Sequence, residues 1–252
     1  NGVETVLEYQ LGPFPQVEVF LTDDLVTSVL AHLKEPRDSS DLAKELGLTA
    51  FTPVVVKNAA ETLGIAFPER GVLFSYAADS PQPRVAQLLL EAPSAEMFLL
   101  RFAATANDNY TQKIADLERV LDIDPQNAEA HWQGAKLLAI TGKQDEALKL
   151  AKRAVQLAPQ DDRYQLTQAK FTARAGDHRG SVVAVKRLLD RSDISAVHRA
   201  QAELELGDLL STGLERNHQA AVEHHLAAVK AATPLVTAAD ATTRHEAERI
   251  LI

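Results

Sequence analysis

Histidines and paired carboxylates are the residues of this chain whose types could support metal binding or acid–base catalysis. His218, His224 and His225 form a close histidine group, and imidazole is a common metal ligand. Adjacent helix positions point in different directions, so His224 and His225 are not expected to bind one ion together. We therefore predict a solvated or partly packed helix face here, and no metal site.

Carboxylate pairs occur where helices are expected to begin. Asp23-Asp24 and Asp161-Asp162 each precede an apolar periodic segment, where acidic side chains complement the positive end of a helix. The chain has no cysteine, which excludes thiolate nucleophiles and cysteine-ligated metals. It also lacks the G-x-S-x-G, P-loop and G-x-G-x-x-G motifs. We predict no catalytic residues and no cofactor, and hence a protein that is not an enzyme.

A possible helix-turn-helix lies in "SSDLAKELGLTAFTPVVVKNAAETLGI", residues 39–65. Ala43 and Gly47 suit the small and turn positions of that motif, and the strand-like "GVLFSY" could form a wing. The second helix would present only Lys57 and Asn58 to base edges, with no arginine, which favours three helices packed for structural reasons. The stretch "LAKELGLTAFTPVVVKN" also resembles the later part of thioredoxin-like domains, although the absence of cysteine excludes redox chemistry.

The elements that position these residues follow from length and composition. With 252 residues, 46% apolar and 24% charged, the chain can form one large or two modest globular domains. No apolar run approaches the roughly 18 residues of a membrane helix, so we predict no membrane insertion. The net charge is −9, of which residues 1–93 carry −7, and this disfavours binding to nucleic acid. Because Asn1 replaces an initiator Met, we expect a processed or truncated piece, soluble and either cytoplasmic or extracytoplasmic after signal-peptide removal.

The first 85 residues are predicted to form a small mixed α/β domain, with a winged-helix-like arrangement as one alternative. "VETVLEYQL" and "QVEVFL" favour strands separated by the turn "GPFP", and "GVLFSY" favours a third strand. Helices are predicted over residues 22–33, 39–46 and 53–63, with Thr52 as an N-cap and Pro53 in the first turn of the last one. "ADSPQP" is predicted as a linker, and helix is expected again from about Arg84, within a helical domain over residues 86–252.

The second part of the chain repeats itself every 34 residues. Pro125 and Pro159 are separated by this period, as are Gly142 and Gly176. Two helices of three to four turns with two short connections take about 34 residues. Glycine suits the left-handed turn between the helices, and proline blocks continuation of the second helix.

This pattern resembles the tetratricopeptide repeat family. Residues 128–161 match it best, with Ala135, Ala147 and Ala154 at the small positions, Gly142 at the turn and Pro159 at the end. Neighbouring repeats are expected over residues 94–127, residues 162–195 and from about residue 200, followed by a capping helix that begins at Thr242 or Thr243. The resemblance covers residues 94–233. It implies a mainly α fold, with about four helical hairpins stacked into an α–α superhelix.

The resemblance also implies a partner-binding groove, because the first helix of each hairpin lines the concave face in this family. The residues placed there are Phe98, Phe102, Glu129, Trp132, Gln133, Lys136, Arg163, Leu166, Thr167, Lys170 and Arg174. Such a groove is apolar at one end and basic at the other, which suits an acidic or C-terminal peptide segment. Trp132 and Leu166 replace the Lys or Asn of the family's carboxylate clamp, so chaperone tails are not expected. The alternative is a packed Trp132 beside solvated cations.

The sequence therefore predicts a non-catalytic module that binds a protein or peptide partner in this groove. Two alternatives remain open at this point. One is a transcription regulator with an N-terminal helix-turn-helix and a repeat sensor domain. The other is the accessory repeat region of a larger enzyme.

Overall fold

The computed structural model describes residues 4–58, 61–78, 82–212, 216–237 and 240–251. The chain forms two compact units, Asn1–Pro125 and Gln126–Ile252. None of the described helices is long and apolar enough to cross a membrane.

The first unit contains a seven-stranded antiparallel sheet. Its strands are β1 (Glu4–Leu11), β2 (Phe14–Thr22), β3 (Leu25–Asp38), β4 (Val54–Asn58), β5 (Glu61–Phe67), β6 (Val72–Tyr76) and β7 (Arg84–Glu91). Their spatial order is β1-β2-β3-β7-β6-β5-β4, so β1 and β4 are the two edge strands. The three strands predicted from sequence are confirmed as β1, β2 and β6.

The predicted helix over residues 22–33 is wrong. Asp23 and Asp24 form the turn between β2 and β3 with φ angles of 51° and 63°, and β3 follows directly. Asparagine and aspartate are among the few non-glycine residues that adopt this left-handed conformation. The β-branched Val26, Thr27 and Val29 favour the strand that follows.

The favoured packing of three helices and the alternative helix-turn-helix are both wrong, because the second helix of this segment does not form in residues 54–58 and 61–63. The first helix of the segment exists as α1 (Ser39–Glu45), with the Asp38 side chain accepting hydrogen bonds from the backbone N–H groups of Ser40 and Asp41. Gly47 follows it with a φ of +67°. The predicted second helix is instead the pair of strands β4 and β5, because the run Val54–Val56 is β-branched. There is thus no recognition helix and no winged-helix arrangement in residues 54–58 and 61–67.

The end of the sheet differs from the prediction as well. The residues from Arg84 onward form β7 rather than a helix, with partners β3 and β6. Part of the predicted "ADSPQP" linker, residues 79–81, lies outside the described residues. The core of this unit lies between the sheet and α1, and its most buried side chains include Val17, Leu42, Phe74, Val85 and Leu88.

Two helices complete the first unit, α2 (Ala95–Ala104) and α3 (Tyr110–Ile123). Arg101 of α2 is buried and its guanidinium contacts Asp116 at 2.6 Å, Glu69 at 2.7 Å and the carbonyl oxygen of Thr52 at 2.8 Å. This cluster joins α2 and α3 to the sheet connections.

Phe98 and Phe102 do not line an exposed groove. Their exposed fractions are 2% and 8%, because both side chains are buried in the first unit. The prediction placed both side chains in the groove because of their positions within the repeat. In the structure, α2 also packs against β4. The environment of α2 therefore differs from that of a repeat helix with one open face.

The second unit consists of helices that contact their neighbours in sequence. They are α4 (Ala128–Ile140), α5 (Gln144–Leu157), α6 (Asp162–Arg174), α7 (His178–Leu189), α8 (Ala196–Thr212), α9 (His218–Ala232) and α10 (Ala241–Leu251). Ala135, Ala147, Ala154 and Ala169 are at most 1% exposed, which explains why small residues recur at the repeat period. The expected caps Thr242 and Thr243 instead donate their backbone N–H groups to Asp240, which caps α10.

Candidate partner-binding surface

Two helices bring the predicted aromatic and charged residues together. Spacings of three and four residues place Glu129, Trp132, Gln133 and Lys136 on one face of α4. The matching face of α6 carries Arg163, Thr167, Lys170 and Arg174, and the two faces are in direct contact. We call these eight residues, together with Tyr164 of α6, the Trp132 surface.

Trp132 lies at the centre of this surface. Its indole N–H donates to the Thr167 hydroxyl oxygen at 2.8 Å. The Lys136 ammonium lies 4.0 Å from the centroid of the indole ring, and the Arg163 guanidinium lies 5.1 Å from it. The Tyr164 ring is tilted against the indole at 5.5 Å. The half-buried indole is therefore held in place by one hydrogen bond and bordered by two cations.

Glu129 connects the two helices through a second set of hydrogen bonds. It accepts from the Tyr164 hydroxyl at 2.9 Å and from the Gln133 amide at 2.6 Å, and the Arg163 guanidinium lies 3.6 Å away. Burial raises the pKa of Tyr164, and the hydrogen bond and negative charge of Glu129 raise it further. Tyr164 thus remains a neutral donor that fixes the Glu129 carboxylate.

Asp161 holds Arg163 in position at the start of α6. Its carboxylate accepts from the Arg163 backbone N–H at 2.9 Å and from the guanidinium at 2.7 Å. Burial alone raises the pKa of Asp161, but the hydrogen bonds and charge of Arg163 outweigh it, so the pKa lies below its ordinary value. The predicted role of Asp161 at a helix N-terminus is confirmed, whereas Asp23-Asp24 lie in a strand turn.

Replacing Asp161 by alanine is expected to destabilise the second unit by about 1 kcal/mol, the usual value of an N-cap. A carboxyl group with a lowered folded pKa stabilises the folded state above its unfolded pKa of about 3.9, and this contribution disappears as pH falls through the lower folded value. The difference between wild type and Asp161→Ala should hence be constant near neutral pH and shrink below about pH 4. Urea unfolding followed by the fluorescence of the chain's single tryptophan measures it.

A matched control is Asp177→Ala, since Asp177 caps α7 through the Gly180 N–H at 2.7 Å. Removal of this cap should cost a similar free energy while leaving the Arg163 guanidinium in place. A difference for Asp161→Ala that persists unchanged at pH 2 would contradict the assignment.

The basic end of the surface is less positive than the sequence suggested. Lys170 pairs with Glu205 of α8 at 3.4 Å, and Arg163 is occupied by two carboxylates. Arg174 lies over the Phe171 ring at 5.6 Å, and no carboxylate of the described residues forms an ion pair with it. Leu166 is only 4% exposed and belongs to the core between helices, so its predicted place in the groove is wrong.

Sequence reasoning missed Tyr164 and Glu205, although a regular spacing between contacting residues could have indicated both of them. Contacts between successive first helices join residues 35 positions apart: Glu129 with Tyr164, Trp132 with Thr167, and Lys170 with Glu205. This spacing is one repeat plus one residue. It reflects equivalent helices lying side by side with a small offset.

His224 and His225 contact carboxylates of α8 rather than each other. The Nδ1 atom of His224 lies 2.6 Å from Glu203, and the Nε2 atom of His225 lies 3.1 Å from Asp208. Among the described residues, no group of three or more potential ligands is arranged to bind a metal ion. The pairs place α9 against α8.

The Thr167→Val variant tests the central hydrogen bond of the surface. Because the chain has one tryptophan, its spectrum contains one indole N–H signal. Loss of the Thr167 acceptor should move the indole proton upfield and cost about 1 kcal/mol of stability. An NMR ¹H–¹⁵N correlation spectrum measures the shift, with Thr172→Val as a control because the Thr172 hydroxyl donates to the Gln168 carbonyl of its own helix. An unchanged indole signal in Thr167→Val would contradict the geometry.

The paired helices with small buried residues define a helical-repeat protein, and comparison with known families agrees. A tetratricopeptide repeat model matches residues 104–171, which confirms the resemblance over that range. The matched range includes α3, α4, α5 and most of α6. A comparison of the sequence with curated proteins found no match.

Solved structures with similar folds are distant in sequence. A monomeric mutant of IFIT1 with Gppp-AAAA is 14% identical, with a TM-score of 0.51, covering 64% of this chain and 46% of that one. MamA is 19% identical over 56% of this chain and 84% of that one, with a TM-score of 0.41. An O-GlcNAc transferase mutant of Thermobaculum terrenum is 22% identical over 56% and 26%, with a TM-score of 0.47. At these identities the likeness concerns the fold alone.

Proposed function

We propose that this protein is a non-catalytic interaction module that binds an acidic peptide segment of a partner protein on the Trp132 surface. The observation that carries the proposal is a half-buried indole fixed by Thr167 and bordered by Lys136 and Arg163. Aromatic and arginine side chains are the residue types that contribute most to protein interfaces. Fixed side chains also lose little conformational entropy when a partner binds.

The charges favour an acidic partner even though the chain is acidic overall. Lys136 carries a positive charge on α4, and Arg174 carries one on α6. Neither helix has an acidic residue after its first turn, where Glu129 and Asp162 lie. Complementary charge raises association rates and orients the partner. The α4 and α6 pair belongs to the helices of the second unit, which pack against their neighbours in sequence and keep the surface rigid.

A displayed library of random peptides tests the proposal directly. Selection on the wild-type chain should enrich peptides with aspartate or glutamate next to an apolar residue. Affinity should fall by about 5- to 30-fold in Lys136→Glu and in Arg174→Glu, which corresponds to about 1–2 kcal/mol for reversing one charge near the binding site. Fluorescence anisotropy of a labelled selected peptide measures the affinity.

The matched control is Lys149→Glu, which makes the same change of charge on the exposed face of α5. It should leave the affinity within about twofold, because interactions between exposed charges are screened beyond about 10 Å. Enrichment of peptides without acidic residues, or equal losses in all three variants, would reject the proposal.

A further inference from the structure

The two edges of the sheet in the first unit differ in how they are protected. Edge strand β4 has five residues, follows Pro53, carries Lys57 and is in contact with α2. Short length, proline, lysine and a covering helix are the features that prevent edge strands from pairing with other chains. The β4 edge therefore has the usual protection.

Edge strand β1 lacks these four features, and its protection is limited to two glutamates, Glu4 and Glu8, and a register shift between Tyr9 and Leu11. All eight of its residues, Glu4–Leu11, are exposed, and it contains no proline, lysine or arginine. Its apolar side chains are open to solvent on both faces, with Val6 50%, Leu7 41% and Tyr9 47% exposed. Within the described residues, β2 is its sole strand partner, so its outer row of backbone N–H and C=O groups has no strand beside it.

We propose that β1 pairs antiparallel with β1 of a second copy of this chain, which joins two seven-stranded sheets into one. A two-fold axis makes such an interface self-complementary, because each copy offers the same edge. The backbone groups of the edge supply the hydrogen bonds, and the apolar side chains supply the contacts across them.

Charge disfavours the two registers next to the one that places Leu7 opposite Leu7 of the partner subunit. Side chains of a strand alternate between the two faces of the sheet. For each face to continue from one copy into the other, odd-numbered residues must lie opposite odd-numbered residues and even-numbered opposite even-numbered. When Leu7 lies opposite Leu7 of the partner subunit, Thr5 faces Tyr9 of the partner subunit and Glu8 faces Val6 of the partner subunit. A shift of two residues in one direction brings Glu8 opposite Glu8 of the partner subunit. The opposite shift brings Glu4 opposite Glu8 of the partner subunit, and like charges in these positions are destabilising.

Charge substitution at the two-fold axis tests the dimer in the full chain. Analytical ultracentrifugation of the wild type should show a dimer at protein concentrations up to about 100 μM, as expected for a small interface. Leu7→Lys and Leu7→Glu should each be monomeric, because identical charges then face each other. An equimolar mixture of the two variants should restore a dimer. A monomeric wild type across this range, or a dimer that survives both substitutions, overturns the proposal.

Two control variants separate this edge from other exposed apolar positions. Val55→Lys alters the opposite edge strand, and Leu226→Lys alters an exposed leucine of α9 in the second unit. Both should dimerise like the wild type. Loss of the dimer in either control, with Leu7→Lys unaffected, would assign the interface elsewhere and overturn the proposal.

Cross-linking determines the register and does not depend on how well a charged variant folds. Because the chain has no cysteine, Thr5→Cys and Tyr9→Cys each introduce a single thiol. In the proposed register these two positions lie about 5 Å apart across the interface, whereas two copies of position 5 lie about 14 Å apart. A short bifunctional maleimide should therefore link a mixture of the two variants and not Thr5→Cys alone. The reverse pattern overturns the proposed register.

Discussion

Arg101→Met is expected to destabilise the first unit by about 3–5 kcal/mol, the usual cost of removing one partner of a buried ion pair. Arg101 is 3% exposed and Asp116 is fully buried, so the substitution leaves a buried carboxylate without its cation. The Gln112 amide, which donates to Asp116 at 2.9 Å, is a neutral donor and cannot replace the lost charge. Native-state hydrogen exchange of the α2 and α3 amides measures the loss.

Two further variants separate the ion pair from simple truncation. Arg119→Met removes a solvent-exposed arginine of α3 whose partner Asp122 lies 3.4 Å away, and it should cost less than about 0.5 kcal/mol. The double variant Arg101→Met/Asp116→Leu should be more stable than Arg101→Met alone, because no unpaired charge remains buried at position 116. A double variant that is no more stable than Arg101→Met would contradict this account of the cluster.

Gly71→Ala is expected to cost about 3 kcal/mol or more, for two independent reasons. Gly71 has a φ of +59°, a conformation that costs an L-residue about 1–2 kcal/mol. A Cβ atom at this position would also lie 1.8 Å from the carbonyl oxygen of Glu91, which belongs to the backbone and cannot rotate away. The substitution must therefore disturb the hydrogen bond from the Glu91 N–H to the Gly71 carbonyl, at 2.9 Å.

Gly12→Ala isolates the backbone contribution in the same unit. Gly12 has a φ of +52°, but a Cβ atom there would meet nothing within 4 Å. This variant should cost only about 1–2 kcal/mol, so the difference between the two measures the steric collision. Chemical denaturation followed by far-ultraviolet circular dichroism gives both values. Equal losses of unfolding free energy in the two variants would contradict a destabilising collision at Gly71.

The helical hairpins could be predicted because one local rule governs each of them. Ala135, Ala147 and Ala154 are small since the helices cross closely there, and Gly142 has a φ of +83° between them. These constraints act within about 34 residues, so they repeat in the sequence and become visible as a period.

The sheet was predicted only in part because its strands depend on distant partners. The run Val54–Val56 follows Thr52 and Pro53, which resemble a helix start, yet the segment pairs with β5. Residues 25–38 have apolar spacings compatible with a helix, but they pair with β2 and β7. Pairing with β7 joins residues from 46 positions apart (Asp38 and Arg84) to 63 positions apart (Ser28 and Glu91), and no local pattern reports it.

The sequence predicted several residues of the candidate surface, but it did not predict the net charge of that surface. The repeat register correctly brought Trp132, Lys136 and Arg163 together, because these residues follow helix geometry. It misplaced Leu166, Phe98 and Phe102, whose burial depends on which neighbouring element covers each helix. Carboxylates from adjacent turns and helices, such as Asp161 and Glu205, change the charge of the surface, and their partners depend on side-chain positions.

The affinity of one selected acidic peptide for Trp132→Ala, compared with Ile140→Ala, tests the central claim most directly. Both residues belong to α4, but Ile140 is 65% exposed at the end of the helix and lies outside the Trp132 surface. The account predicts at least a tenfold loss of affinity for Trp132→Ala, about 1.4 kcal/mol, and no change for Ile140→Ala. Circular dichroism of both variants should match the wild type. Equal affinity of the wild type and a folded Trp132→Ala variant would contradict the assignment of this surface as the binding site.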